Sequence, residues 1–129
     1  MSHIYARQLD LVLEWLDRGR VKKVLDASCG KGRAIKRLHH TYYVTGVDIS
    51  REMLEHVKDL ELDRVDLVRA DVDKLPFDSS VFDSVICLAA LVHYPNPRIA
   101  LGEFRRVLRP HGFLIVDVAN EHSLKRLVT

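Results

Sequence analysis

The stretch at residues 24–38, VLDASCGKGRAIKRL, decides the fold of this chain. Two apolar residues of a short strand precede Asp26, and a turn of small residues at 27–32 then leads into a helix. Glycine suits such a turn because it adopts positive φ and lets a ligand approach the backbone. The first N–H groups of the helix lack intrahelical partners and point at the turn. Strand, turn and helix therefore predict a cradle for a ligand.

Strand-like and helix-like segments alternate along the rest of the chain. Further strands are predicted at 42–48, 65–70, 84–88 and 113–119. Helices are predicted at 4–16, 33–39, after Ser50 and at 98–108, with another beginning in the tail at 121–128. A turn is predicted at 109–112. The alternation predicts an α/β fold in which a parallel sheet is covered on both faces, within a single domain of residues 1–129.

Composition narrows the class of protein. The chain has 129 residues, 47% of them apolar and 29% charged, which is ordinary for a globular domain. The net charge of +2 gives no argument for nucleic acid as a partner, and no apolar run approaches the length of a membrane span. The two cysteines, Cys29 and Cys87, show no metal-binding spacing, so no metal site is predicted. A reduced, cytoplasmic protein is the simplest expectation.

Three carboxylates stand where predicted strands end. Asp26 follows the first strand, Asp48 ends the second and Asp71 follows the third. In open parallel sheets, ligands bind outside the carboxyl ends of the strands, where the strand order reverses. The three acids therefore predict a binding site along one edge of the sheet.

The glycine turn alone does not identify the ligand. A nicotinamide-binding fingerprint needs a third glycine, and Ile35 stands where that glycine would follow Gly30 and Gly32. A phosphate-binding loop would need Gly-Lys followed by Ser or Thr, and that sequence is missing here.

At this point the sequence resembles the class I S-adenosylmethionine-dependent methyltransferases of the small-molecule type, whose first motif is D-x-G-C-G-x-G. Four segments match in order: DASCGKG at 26–32, GVDIS at 46–50, DV at 71–72 with LPF at 75–77 and FD at 82–83, and EFRRVLRPHGF at 103–113. The resemblance implies a Rossmann-like, doubly wound three-layer sandwich with a sheet of about five strands in the order 3-2-1-4-5.

The resemblance also implies S-adenosylmethionine as cofactor and S-adenosylhomocysteine as product. Asp48 would accept hydrogen bonds from the ribose, Asp71 and Val72 would meet the adenine, and the turn would hold the methionine half. The implied cofactor-binding residues are Asp26, Ala27, Ser28, Cys29, Gly30, Gly32, Asp48, Ile49, Met53, Asp71, Val72 and Leu88.

The sequence departs from this family in two places. Ser28 replaces a glycine of the first motif, and the chain stops before the family's strands six and seven. Strand five, at 113–119, is then expected to be an unpaired apolar edge. A homodimer or domain swap through strand five, or a truncated form of a longer enzyme, would follow.

The implied reaction is an in-line displacement at the sulfonium methyl by a small-molecule acceptor. His93, in the loop after the fourth strand, is the candidate general base, and Tyr94 is a candidate for shaping the acceptor pocket. A cofactor-binding domain without its own activity is the alternative function, and a nicotinamide-dependent reductase is the least favoured one.

Overall fold

A computed structural model describes the backbone of residues 2–118 and 123–128, and the side chains of residues 7–117 and 125–128. Its elements are α1 Ser2–Arg18, β1 Lys23–Ala27, α2 Arg33–Leu38, β2 Tyr43–Asp48, α3 Arg51–Lys58, β3 Val65–Arg69, β4 Phe82–Cys87, a 3-10 turn Leu91–His93, α4 Pro97–Val107, β5 Leu108–Val118 and β6 Ser123–Val128. Within these residues, no helix has the length and apolar character needed to span a membrane.

The described strands form one six-stranded sheet in the order β3-β2-β1-β4-β5-β6. The first five are parallel, so the predicted α/β class and the order 3-2-1-4-5 are confirmed. Strand β1 lies in the middle, where Leu25 is paired with Thr45 on one side and Val85 on the other. Strands β2 and β3 are added on one side of β1, and strands β4 and β5 on the other. The strand order therefore reverses between β1 and β4, beside the glycine turn.

Two apolar cores lie on opposite faces of the sheet. One core packs side chains of α1, α2 and α3 against the sheet, among them Val12, Ile35 and Val57. The other packs α4 through Phe104 and Val107. These helical layers on both faces give the predicted three-layer arrangement.

The end of the chain differs from the prediction. Residues 123–128 form β6, which pairs antiparallel with β5, and not a helix; residues 121 and 122 of the predicted helix lie outside the described part. The open edge of β5 offers unpaired N–H and C=O groups, and a segment that follows in the chain satisfies them by pairing as a strand. The prediction that strand five is a free edge was therefore wrong, and the dimer or swap through 113–119 loses its structural basis.

The predicted turn at 109–112 lies inside β5. Leu108 pairs with Phe82 and Phe113 with Ser84, so the four residues 109–112 of β5 lie opposite the single residue Asp83 of β4. His111 has a φ of 68°, as expected where a strand bulges. The bulge is held by an ion pair in which the Arg109 guanidinium lies 2.9 Å from Asp83.

Candidate functional site

The turn after β1 is shaped by left-handed backbone at three positions. Ser28, Gly30 and Gly32 have φ values of 62°, 55° and 83°. A side chain at Gly32 would lie 3.0 Å from Val57, whereas the corresponding position at Gly30 has no atom within 4 Å. The backbone at Gly30 therefore faces open space, as a cradle for a ligand requires.

Asp48 connects the end of β2 to this turn. One carboxylate oxygen accepts from the Gly30 N–H at 2.9 Å, and the other accepts from the Ser50 N–H at 2.9 Å. Ser50 in turn caps α3, as predicted, by accepting from the Met53 N–H. Each carboxylate oxygen keeps a further lone pair, so the fixed side chain can accept hydrogen bonds from a ligand.

Asp26 is a buried carboxyl group at the end of β1. It is 4% exposed, and no hydrogen bond from a described residue reaches its side chain. Burial first, and the nearby Asp48 second, raise the pKa of Asp26 to about 8. A cationic group placed beside Asp26 would favour the ionised form and reverse much of this shift.

Tyr94 reaches the glycine turn from the loop that follows β4. Its hydroxyl oxygen lies 2.6 Å from Ser28 Oγ and 3.5 Å from Cys87 Sγ. Burial raises the pKa of the Tyr94 phenol, and the nearby Cys87 adds to the effect. The phenol is therefore neutral and able to donate at ordinary pH.

Asp117, near the end of β5, is a fourth carboxylate at this edge of the sheet, and sequence reasoning missed it. Its Oδ2 accepts from the Ala89 N–H at 2.8 Å, and Ala89 has a φ of 57°. The contact fixes the direction in which the chain leaves β4. Its position at a strand end was the signal that could have identified it.

The residues expected at the adenine lie after β3. Asp71 is exposed, and its Oδ1 accepts from the Asp73 N–H at 2.9 Å, while the Val72 side chain is buried. Asp73 Oδ1 is buried and accepts no hydrogen bond within the described part of the chain.

The loop after these residues is anchored to α4. Glu103 accepts from the Leu75 N–H, and Arg106 donates to the carbonyls of Leu75 and Phe77. Arg106 holds the pKa of the Glu103 carboxyl below its usual range. The EFRR segment at 103–106 therefore fixes the loop that carries Asp71.

The other predicted site residues differ in exposure. Ile49 is 61% exposed beside Asp48, Met53 is half-buried and His93 is exposed at the end of the 3-10 turn. Ala27 and Leu88 are buried, so their side chains belong to the core around the site.

The two thiols are kept neutral. Burial raises the pKa of both Cys29 and Cys87 to about 12. Because the thiolate is the reactive form, neither side chain has the character of a nucleophile. Cys29 instead supports the turn through its backbone, donating from its N–H to the Val47 carbonyl at 2.9 Å.

These contacts join Asp48, the turn at 27–32 and Tyr94 into one group, and Asp26 directly precedes the turn. The structure shows no hydrogen bond between that group and Asp71 within the described residues. The arrangement presents backbone and carboxylate acceptors beside an open glycine turn, at the carboxyl ends of β1, β2 and β4.

Comparisons with known proteins agree with this arrangement. A family model described as a methyltransferase domain matches residues 25–116, and the chain belongs to this family. The chain is 37% identical over 108 residues to demethylmenaquinone methyltransferase of Staphylococcus aureus, covering 79% of this chain and 45% of that protein. It is 38% identical over 96 residues to a phthiotriol/phenolphthiotriol dimycocerosates methyltransferase of Mycobacterium tuberculosis, covering 71% of this chain and 36% of that protein. It thus spans less than half the length of these relatives.

Solved structures are similar over most of the described fold. A S-adenosylmethionine-dependent methyltransferase from Mesorhizobium loti superimposes with a TM-score of 0.69 at 27% identity, covering 76% of this chain and 46% of that one. The 4+2 cyclase SpnF superimposes with a TM-score of 0.78 at 29% identity, covering 85% of this chain and 43% of that one. The fold is that of the S-adenosylmethionine-dependent class I methyltransferases, and S-adenosylmethionine is the cofactor of this class.

Proposed function

We propose that this chain binds S-adenosylmethionine at the carboxyl ends of β1 and β2, and that the protein transfers its methyl group to a small apolar acceptor. The observation that carries the proposal is the Asp48 carboxylate, which is fixed by the N–H groups of Gly30 and Ser50 beside an open glycine turn. A vicinal diol donates two hydrogen bonds, and a carboxylate with free lone pairs is a suitable acceptor for both.

The adenine would lie between Ile49 and the loop after β3. Ile49 and Met53 supply an apolar surface next to Asp48, since neither side chain is fully buried. The exocyclic amine is a donor, and the second oxygen of Asp71 and the unpaired Asp73 Oδ1 are acceptors in the adjoining loop.

The methionine half carries an α-ammonium group and would lie along the turn at 27–32. Asp26 fits the ammonium because its buried carboxyl has no other hydrogen-bond partner among the described residues. Ionising Asp26 beside a cation removes the penalty of burying an isolated charge. The open backbone at Gly30 leaves room for the chain of the amino acid.

When bound, the cofactor supplies a methyl group on a positively charged sulfur that leaves as a neutral thioether. The protein then has mainly to hold the acceptor in line with the methyl–sulfur bond, and correct positioning is itself a large share of catalysis. His93, exposed beyond the end of β4, is the proposed base for an acceptor that must lose a proton.

An apolar acceptor is supported by the side chains around this edge of the sheet. Val92 is 56% exposed and Ile99 is 50% exposed, both in the segment that follows β4. The two relatives are named for methylation of demethylmenaquinone and of phthiotriol dimycocerosates. Exposed apolar side chains next to a site are typical of contact surfaces for apolar ligands.

Calorimetry tests the cofactor. We expect S-adenosylmethionine and S-adenosylhomocysteine to bind and NAD not to bind. Asp48→Ala should weaken both adenosyl ligands about tenfold or more, because hydrogen bonds to a charged group are lost. The matched control is Asp66→Ala, an exposed acid on β3 whose loss should change affinity less than about twofold. Unchanged binding by a folded Asp48→Ala variant would contradict the proposal.

Transfer of a labelled methyl group to a series of quinol and phenol acceptors tests the activity. Turnover by this chain alone supports an active domain. Tight cofactor binding with no turnover on any of these acceptors would support the alternative of a binding domain that depends on a further segment or partner.

A further inference from the structure

We propose that the Tyr94 hydroxyl donates to the carboxylate of the cofactor's amino-acid end, and that Ser28 is the positioning residue that orients it. This inference rests on the proposed function, and it assigns a ligand contact to a side chain outside the motifs that carry the family resemblance.

The Ser28 and Tyr94 hydroxyls carry two protons and share one hydrogen bond, so one O–H is left to donate to a ligand. Ser28 Oγ and Tyr94 Oη are 2.6 Å apart, a distance at which one hydroxyl donates to the other. If Ser28 donates, the phenol O–H is directed elsewhere, and its other neighbour is Cys87 Sγ at 3.5 Å. A thiol sulfur is a weak acceptor, so a carboxylate would readily replace it.

The backbone at Ser28 shows why serine stands at this position. Its φ of 62° lies in the left-handed region, which favours the glycine usual in this motif. A non-glycine residue persists in such a conformation where surrounding contacts hold it in place. The bond to Tyr94 is such a contact, and it gives the hydroxyl of Ser28 a function that glycine lacks.

The loop that carries Tyr94 is held on both sides. Before it, Asp117 accepts from the Ala89 N–H at 2.8 Å, and the Tyr94 N–H donates to the Leu91 carbonyl at 3.2 Å. After it, Pro95 restricts the backbone, since proline fixes its own φ and limits the residue before it. The phenol is thus pre-organised, which reduces the entropy lost when it binds a ligand.

The amino-acid end of the cofactor carries an ammonium and a carboxylate, and Asp26 and Tyr94 suit one each. Asp26 is an acceptor and matches the ammonium, whereas the carboxylate requires donors. Tyr94, bonded to Ser28 in the turn that follows Asp26, supplies a neutral donor. Lys31, exposed in the same turn, is the competing partner for a carboxylate.

The experiment compares S-adenosylmethionine with its decarboxylated form, which keeps the ammonium and lacks only the carboxylate. Dissociation constants are measured by calorimetry for the unmodified chain, Tyr94→Phe, Ser28→Gly, the double variant and Lys31→Ala. Thermal melting checks that each variant is folded; glycine suits the backbone at position 28, and phenylalanine keeps the ring of Tyr94.

We expect Tyr94→Phe to weaken S-adenosylmethionine about tenfold or more and the decarboxylated form less than about twofold. Ser28→Gly should change the ratio of the two dissociation constants, S-adenosylmethionine to its decarboxylated form, by a smaller factor than Tyr94→Phe does. The double variant should have the same ratio as Tyr94→Phe, because Ser28 acts through the phenol. Equal losses for both ligands, no loss for either, or a change of ratio in Lys31→Ala alone would overturn the inference. Failure of the unmodified chain to bind either ligand would instead refute the proposed function.

Discussion

Burial of a carboxyl group at the end of β1 gives this protein a stability that depends on pH. The folded state raises the pKa of Asp26 to about 8, whereas an unfolded chain titrates aspartate near about 4. Between these values, the folded state keeps a proton that the unfolded state has lost. The contribution of Asp26 to the free energy of unfolding therefore falls as the pH rises from about 4 to about 8 and levels off above that range.

Replacing Asp26 by asparagine removes this dependence. We expect Asp26→Asn to flatten the pH profile of thermal unfolding between about pH 4 and pH 8, where the unmodified chain loses up to about 1.4 kcal/mol per pH unit from this group. Asp71→Asn, at an exposed acid, is the matched control and should keep the slope that Asp26 causes. A profile as steep in Asp26→Asn as in the unmodified chain would show that Asp26 is not the group responsible.

At the scale of an element, β6 determines how the sheet ends. It pairs with β5 from Phe113 opposite Val128 to Val118 opposite Ser123, and so covers an apolar strand that would otherwise be open. The guanidinium of Arg126 lies over the Phe113 ring, 4.3 Å from its centroid. This cation–aromatic contact links the last strand to the core.

The contact predicts an asymmetry between neighbouring side chains of β6. Arg126→Ala should lower the free energy of unfolding by about 0.5–1 kcal/mol, because the contact with Phe113 is lost. Lys125→Ala, at an exposed neighbour that points to the other face, should change it by less than about 0.5 kcal/mol. Urea denaturation of both variants measures the difference, and equal effects would argue against the contact.

At the scale of the whole molecule, the site joins segments that are far apart in the chain. The turn after β1, the end of β2 and the loop after β4 meet through Asp48 and through the Ser28–Tyr94 pair. A ligand bound at this junction would stabilise the folded chain by mass action, because the unfolded chain has no such junction.

Thermal unfolding with S-adenosylhomocysteine measures this effect. At a concentration about 100 times the dissociation constant, the ligand should add about 2.7 kcal/mol to the free energy of unfolding. For a domain of this size we expect the Tm to rise by roughly 10 °C, since each kcal/mol is worth several degrees. Adenosine monophosphate at the same concentration is the comparison, because it keeps the adenine and the ribose and lacks the amino-acid end; an equal rise with it would show that the amino-acid end contributes nothing to the stabilisation.

Local patterns in the sequence determined the parallel part of this protein. The apolar strands, the left-handed glycines and the Ser50 cap each depend on neighbours within a few residues, so they could be predicted without the fold. The strand-end acids followed from the topology that these elements imply.

Only the tertiary structure decided which distant groups meet. That residues 123–128 form a strand follows from the open edge of β5, and that Ser28 bonds Tyr94 follows from the path of a loop 66 residues away. The charge state of Asp26 likewise depends on burial by the whole fold. These are long-range contacts, and their free energy comes from groups that the local sequence does not contain.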